Sequence, residues 1–272
     1  MEKEMPELLK IDFECPACKK SEISNKKIPV LRIIQKLDEC FKTNDLNSAK
    51  KLLEYWREEA LSIGDLQGEL SLVNEMLGLY RRTGENALAE KAIVRALELL
   101  SLLDMENTVS GATILINAAT TSKAIGKAED AISLYEKAEG VYRETLGDDD
   151  SRMAALYNNF ATTLTDTGDY ERAEKLYKRA IEITSVEIER LPDCAVSYVN
   201  LAHMYEKAKG REEPMIYECM ERAEEILETQ ELERNALLAF VSEKCAPSFD
   251  YFGYFLFAEK LRKQAREIYA GN

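Results

Sequence analysis

An all-α array of antiparallel helix pairs is the fold class this sequence predicts, and three observations predict it. No proline stands between Pro29 and Pro192, so the middle of the chain lacks the residue that reliably interrupts a helix. Apolar residues there recur at helical spacing, as in Leu134, Ala138, Val141 and Tyr142, and short alternating Val/Ile/Thr runs of the kind that form strands do not occur. Gly84, Gly126, Gly168 and Gly210 stand 42 residues apart; Ala89, Ala131 and Ala173 keep the same interval, as do Ala96, Ala138 and Ala180, and Tyr135 recurs as Tyr177. Several residue types sharing one period mark a repeated supersecondary unit.

Each unit reads as helix, glycine turn, helix. The stretch LYNNFATTLTDTGDYERAEKLYKRAIEI, residues 156–183, shows why its small residues fall where they do. Gly168 takes the left-handed backbone that ends the first helix. Ala161 and Ala173 let the two helices of the unit approach closely, and Ala180 does the same against the next unit.

Those positions carry a resemblance. From Ala154, the residues Tyr157, Phe160, Ala161, Leu164, Gly168, Tyr170, Ala173, Tyr177 and Ala180 resemble the tetratricopeptide repeat signature almost position by position. The unit from Leu70 offers Val73, Met76, Leu77, Tyr80, Gly84, Ala89, Ile93 and Ala96; the unit from Ala112 offers Leu115, Ala118, Ala119, Ser122, Gly126, Ala131, Tyr135 and Ala138. The common repeat has about 34 residues. The longer period here is similar to the long-helix class of kinesin light chains and many bacterial tetratricopeptide proteins, the additional residues lengthening the helices by roughly 12 Å in total. The resemblance implies a tetratricopeptide solenoid, a right-handed α–α superhelix whose concave wall is made by the first helix of every unit.

The array extends more weakly in both directions. A unit from about Val30 has Asn44 in the glycine place, Ala49 at the close contact and Trp56 where alanine is usual. A unit from about Ala195 fits through Leu201, Ala202 and Tyr205 and needs about two inserted residues before Ala223, with Pro214 where its second helix starts, a position that tolerates proline. The expected organisation is an extended or disordered arm over 1–29, a repeat array over 30–231 with units starting near 30, 70, 112, 154 and 195, and a capping helix pair over 232–272, broken near Pro247. The aromatic segment FDYFGYFLF, residues 249–257, is expected to cover the open end of the array. The alternative for it is a homodimer interface.

Composition narrows the partners. With 36 Lys+Arg against 50 Asp+Glu the formal charge is −14, which repels nucleic acid and anionic lipid. The charged N-terminus MEKEMPELLK is no signal-peptide core, and no run reaches the ~18 apolar residues of a membrane span, so a cytoplasmic protein with free thiols is expected; the tetratricopeptide resemblance implies a bacterial one.

Function is then a question of surfaces. The resemblance places Gln35, Glu75, Asn117, Asn159 and Asn200 in the groove, followed one turn on by Asp38, Gly78, Thr120, Thr162 and His203, and then by Lys42, Arg82, Ala124, Asp166 and Lys207. Asn158 joins them as a groove candidate. A row of side-chain amides can pair with the peptide groups of an extended chain whatever its sequence, because each amide both donates and accepts. The resemblance therefore implies a non-enzymatic scaffold or adaptor that binds a protein or peptide. In the bland reading, these amides only bond the neighbouring repeat. Tetratricopeptide modules that hold a C-terminal carboxylate use basic groove residues where this chain has Ile34, Ile116, Ala155 and Val196, which disfavours that ligand. A bacterial regulator sensing a short signalling peptide is the alternative function; a metal- or cofactor-dependent enzyme is the third.

The remaining chemistry-bearing motifs point to no catalytic set, metal or cofactor. Cys15 and Cys18 have the spacing of half a zinc site or a redox pair, but no second Cys/His pair lies nearby. His203 is the only histidine and would need a nucleophile and an orienting carboxylate. Glu212-Glu213, Glu224-Glu225 and Asp148-Asp149-Asp150 read as solvated faces and turns, the last favouring a helix N-terminus.

Overall fold

The computed structural model describes residues 26–271; Cys15, Cys18 and most of the expected N-terminal arm lie outside them. The described residues form twelve α-helices and one short 3-10 turn: α1 (Val30–Lys42), α2 (Leu46–Ile63), α3 (Leu66–Thr83), α4 (Asn86–Leu102), α5 (Val109–Ala124), α6 (Ala128–Leu146), α7 (Ser151–Thr167), α8 (Tyr170–Thr184), the turn Ile188–Arg190, α9 (Leu191–Lys209), α10 (Pro214–Leu227), α11 (Ala236–Tyr251) and α12 (Phe255–Ala270). The fold is all-α, a tetratricopeptide-like array of helix pairs. Two compact units divide it at the end of α6, between Thr145 and Leu146.

Polar side chains start the helices. Asp45, Asp65, Thr108, Asp150, Asp169 and Asn235 each accept a hydrogen bond from a backbone N–H in the first turn that follows, satisfying a donor the helix cannot. Asp150, the last of the three aspartates, is thus the cap of α7. The helices end where the period places its glycines: Gly84, Gly126, Gly168 and Gly210 all have positive φ. Asn44, in the glycine place of the first unit, does too, at φ 56°. Gly210 differs from the others. Its φ of 92° with ψ of 172° lies where only glycine is at ease, and it opens a longer turn into α10, which accounts for the extra residues in that unit. Pro214 occupies the start of α10, where its missing N–H costs nothing.

In the unit of residues 26–145, α1 packs on α3 and α3 on α5, while α2 and α4 each pack on the first helix of the following pair. In the unit of residues 146–271, α7 packs on α9 and α9 on α11, with α8 reaching α9 in the same way. The periodic alanines are the contact points: Ala89, Ala96, Ala131, Ala138, Ala161, Ala173 and Ala180 are all 0% exposed. Trp56, where alanine is usual, stays half-exposed against Tyr55. One ion cluster crosses three helices of the first unit. Glu69 on α3, fully buried, accepts two bonds from Arg95 of α4 at 2.9 and 2.7 Å and lies 3.4 Å from Arg57 of α2. A buried carboxylate tolerates this environment only because both oxygens are paired with guanidinium groups.

The C-terminal pair departs from expectation at Pro247, where the sequence predicts a break. Helix α11 runs through Pro247, and its turn falls at Gly253, φ 93°. Pro247 and Glu243, whose carbonyl loses its donor, are both exposed, so water can satisfy that carbonyl. Burial of Leu238, Val241, Cys245 and Phe249 on the opposite side holds the helix. The aromatic segment splits. Phe249 and Phe257 meet edge to face in the core at 4.7 Å, Tyr251 and Phe252 lie against His203, and Phe255 remains exposed.

Two outcomes follow from this packing. Ala173→Leu overfills a closed helix contact and is expected to destabilise the protein by about 1–3 kcal/mol in urea denaturation. Burial pushes the thiols of Cys194, Cys219 and Cys245 up to about 11, 12 and 12, whereas Cys40 is partly accessible. Mass mapping after brief treatment with a thiol reagent at neutral pH should find Cys40 modified and the other three protected until denaturant is added.

Candidate functional site

The helical stripe that the sequence assigns to the groove falls on the first helix of each pair: Gln35 on α1, Glu75 and Arg82 on α3, Asn117 and Thr120 on α5, Asn158, Asn159 and Thr162 on α7, and Asn200, His203 and Lys207 on α9. Within residues 146–271, a concavity of about 510 Å³ is lined by Thr162, Thr165, Asp166, Tyr177, Asn200, His203, Glu206 and Lys207. It gathers Thr162, Asn200, His203 and Lys207 from the stripe.

The walls of this concavity are tied together. Lys207 pairs with Asp166 at 2.9 Å, joining α9 to α7. Tyr177 donates to the Thr162 hydroxyl at 3.1 Å, and that hydroxyl donates to the carbonyl of Asn158 at 2.7 Å. Burial pushes the Tyr177 phenol up. His203 Nε2 shares a hydrogen bond of 2.9 Å with the Ser248 hydroxyl, and its ring lies 4.8 Å from Phe252 and 5.7 Å from Tyr251. Desolvation pulls the imidazole down, more than Glu206 at 3.9 Å raises it, so the ring is neutral at pH 7. Tyr251 donates to Glu206 at 2.6 Å, and Arg211 stacks over the Tyr251 ring.

The asparagines reach across repeats. Asn117 donates to Asn74 Oδ1 at 2.8 Å, Asn200 donates to Asn158 Oδ1 at 3.0 Å, and Asn158 donates to Ser197 at 2.7 Å. Asn117 and Asn200 each use one N–H in this way and keep a second N–H and their own oxygen, whereas Asn158 both donates and accepts. Asn159 is different. It is exposed and its amide has no side-chain partner among the described residues. At the register position of Asn74 and Asn158 the intervening unit carries Ile116, which offers no acceptor.

In the unit of residues 26–145, Arg82 donates to Asn44 at 3.2 Å and lies over Phe41, while Thr120 bonds Tyr135 at 2.8 Å. Gln35 is exposed. Glu75 is largely buried and takes one long bond, 3.4 Å, from the Asn74 amide. Desolvation pushes its carboxyl up to about 7, and Asp38 adds repulsion. Asp38 is itself pushed up by burial.

Sequence reasoning missed Asn74, Tyr177, Glu206, Ser248, Tyr251 and Phe252. The last three follow from the continuity of α11, and the separation of 45 residues between His203 and Ser248, close to one repeat, is the signal that could have found them. Among the described residues no group of three or more His, Cys, Asp and Glu side chains is placed to hold a metal ion, and no helix is long and apolar enough to cross a membrane.

Because the Glu75 carboxyl titrates higher in the folded chain than in the unfolded one, the unfolded state ionises first as pH rises from about 4.5 to 7, and stability falls over that window. Glu75→Gln is expected to unfold with wild-type stability at pH 4 and to be more stable by on the order of 1–3 kcal/mol at pH 8, read by urea denaturation. An equal difference at both pH values would contradict the assignment.

Comparison with known proteins adds the family context. Residues 152–214 match the family model described as tetratricopeptide repeat. No curated protein matches the chain. In fold, the chain is similar to BtubC (BKLC) from P. vanneervenii, with a TM-score of 0.64 and 24% identity over 72% of this chain and 79% of that one. It is also similar to a Podosopora anserina structure described by nearly identical TPR-like kinesin light chain repeats, with a TM-score of 0.52 and 18% identity over 73% of this chain and 94% of that one. At these identities the likeness is one of fold. The chain thus carries tetratricopeptide repeat sequence over residues 152–214, and its fold is that of tetratricopeptide-like repeat arrays.

Proposed function

We propose that this protein is a protein- or peptide-binding scaffold whose ligand lies along the faces formed by the first helices of its repeats. The observation that carries the reading is the concavity on α7, α8 and α9, lined by Thr162, Asn200, His203 and Lys207 in the segment that matches the repeat family. Its chemistry suits a peptide main chain. In the lining, Asn200 keeps a free N–H and oxygen, and the Lys207–Asp166 and Tyr251–Glu206 pairs hold the walls; outside the lining, one turn before Thr162 on α7, Asn159 presents an unengaged amide. The neutral ring of His203, backed by Phe252, supplies a flat apolar surface beside these polar groups. Pre-arranged side chains of this kind lower the entropy lost on binding an extended segment.

The reading is tested by selecting peptides from a random 12-residue display library on the full chain and titrating an enriched peptide by calorimetry. Asn159→Ala combined with His203→Ala is expected to weaken binding at least tenfold while the circular dichroism spectrum and thermal transition stay helical and cooperative. Enriched peptides that bind the double variant as well as wild type would overturn it.

A further inference from the structure

The concavity on α7, α8 and α9 is lined by polar residues, yet most of their polar atoms are already spent on the protein itself. Thr162 and Thr165 donate to the carbonyls of Asn158 and Ala161, at 2.7 and 2.8 Å, and the Tyr177 phenol donates to Thr162. Asp166 is held by Lys207, and Glu206 accepts the Tyr251 hydroxyl. A charged ligand side chain would have to compete with one of these pairs to find a counter-charge here.

His203 is committed in the same way. Its Nε2 is bonded to Ser248 at 2.9 Å and its Nδ1 faces Glu206 at 3.9 Å, so both ring nitrogens are turned to the protein. Tyr251 and Phe252 lie against the ring, with centroids 5.7 and 4.8 Å away. The side chain is nonetheless 39% exposed and borders the concavity. With its nitrogens occupied and the imidazole neutral, it presents ring carbon and π surface to a ligand. A second aromatic ring gains most from such a surface, because ring pairs are favoured beyond the area they bury.

One polar group in the lining is left over. Asn200 gives one N–H to Asn158 and keeps the other N–H and its oxygen unengaged among the described residues. It stands three residues before His203 on α9, and both line the concavity, so their Cβ atoms lie about 5–6 Å apart on one helix face. An aromatic surface and an amide that can both donate and accept are thus separated by about the length of a phenol. Tyrosine matches both, since its hydroxyl donates and accepts. The indole N–H of tryptophan only donates, and phenylalanine offers neither.

We propose that His203 and Asn200 form a subsite for a tyrosine side chain of the peptide ligand, the phenol ring lying on the imidazole and its hydroxyl paired with the Asn200 amide. This rests on the peptide-binding reading above and uses residues of the unit 146–271 alone. The internal pairing of the walls also sets what the subsite refuses. A phosphorylated tyrosine would bring up to about two negative charges beside Asp166 and Glu206.

The test uses the full chain and the enriched display peptides, which are expected to carry tyrosine at a fixed position. Replacing that tyrosine by phenylalanine should weaken binding to wild type about three- to tenfold, through one lost hydrogen bond. Cyclohexylalanine, which keeps the bulk without the π system, should cost about a further threefold. The phenylalanine penalty should fall below about twofold in Asn200→Ala, and the further cyclohexylalanine penalty below about twofold in His203→Leu, each variant first matched to wild type in helix content by circular dichroism. Phosphorylating the tyrosine should weaken binding at least tenfold. The peptide substitutions read on wild type decide the matter even where a variant does not fold. Enriched peptides without a fixed tyrosine, a tyrosine replaced without loss, or penalties undiminished in the folded variants would overturn the subsite. The scaffold reading would then stand if Asn159→Ala with His203→Ala still weakens binding. No enriched peptide at all would overturn both.

Discussion

The closed alanine contacts between helices govern this structure. Ala89, Ala131 and Ala173 sit within their pairs, and Ala96, Ala138 and Ala180 seven residues further along; all are fully buried. A methyl group at the crossing allows the short interaxial distances of tightly packed helices, and any larger side chain would wedge them apart. Side-chain bonds depend on that spacing. Thr120 reaches Tyr135 and Thr162 reaches Tyr177 with the same separation of 15 residues, because the two helices of each pair meet at the same distance. The large buried side chains, Tyr135, Tyr177 and Phe160 among them, then fill what the alanines leave.

On this frame the polar groups of the first helices divide into two kinds. Those around His203, Asn200 and Lys207 tie neighbouring helices together through the His203–Ser248, Asn200–Asn158 and Lys207–Asp166 bonds, which favour one arrangement of α7, α9 and α11. Glu69 with Arg95 and Arg57 does the same for α2, α3 and α4. Asp38 and Glu75 belong to the second kind. Their surroundings withdraw water without supplying a cation, a state that weakens the folded protein at neutral pH.

The repeat was legible from the chain because it rests on backbone and volume. A glycine where φ must be positive and an alanine where two helices touch are dictated locally, and they recur with the fold; Asn44 shows the same rule in its less common form. Side-chain reach is not periodic in that sense. The sequence places Asn117, Asn159 and Asn200 in one row, but whether each amide finds an acceptor depends on one residue in the preceding repeat, Asn74, Ile116 or Asn158. Pro247 misleads for another reason. The propensity that marks it as a breaker refers to an isolated helix, and the buried stripe of α11 outweighs a single lost bond on the exposed side.

The bonds that join Asn117 to Asn74, Asn200 to Asn158 and His203 to Ser248 span 43, 42 and 45 residues. Each therefore closes a loop of about one repeat. Loop-closure entropy is then the same modest quantity at every step, and contact order relative to chain length stays low. Folding can start at any well-formed pair and advance to its neighbour, so a chain of this design can lengthen by whole repeats without slowing its own assembly.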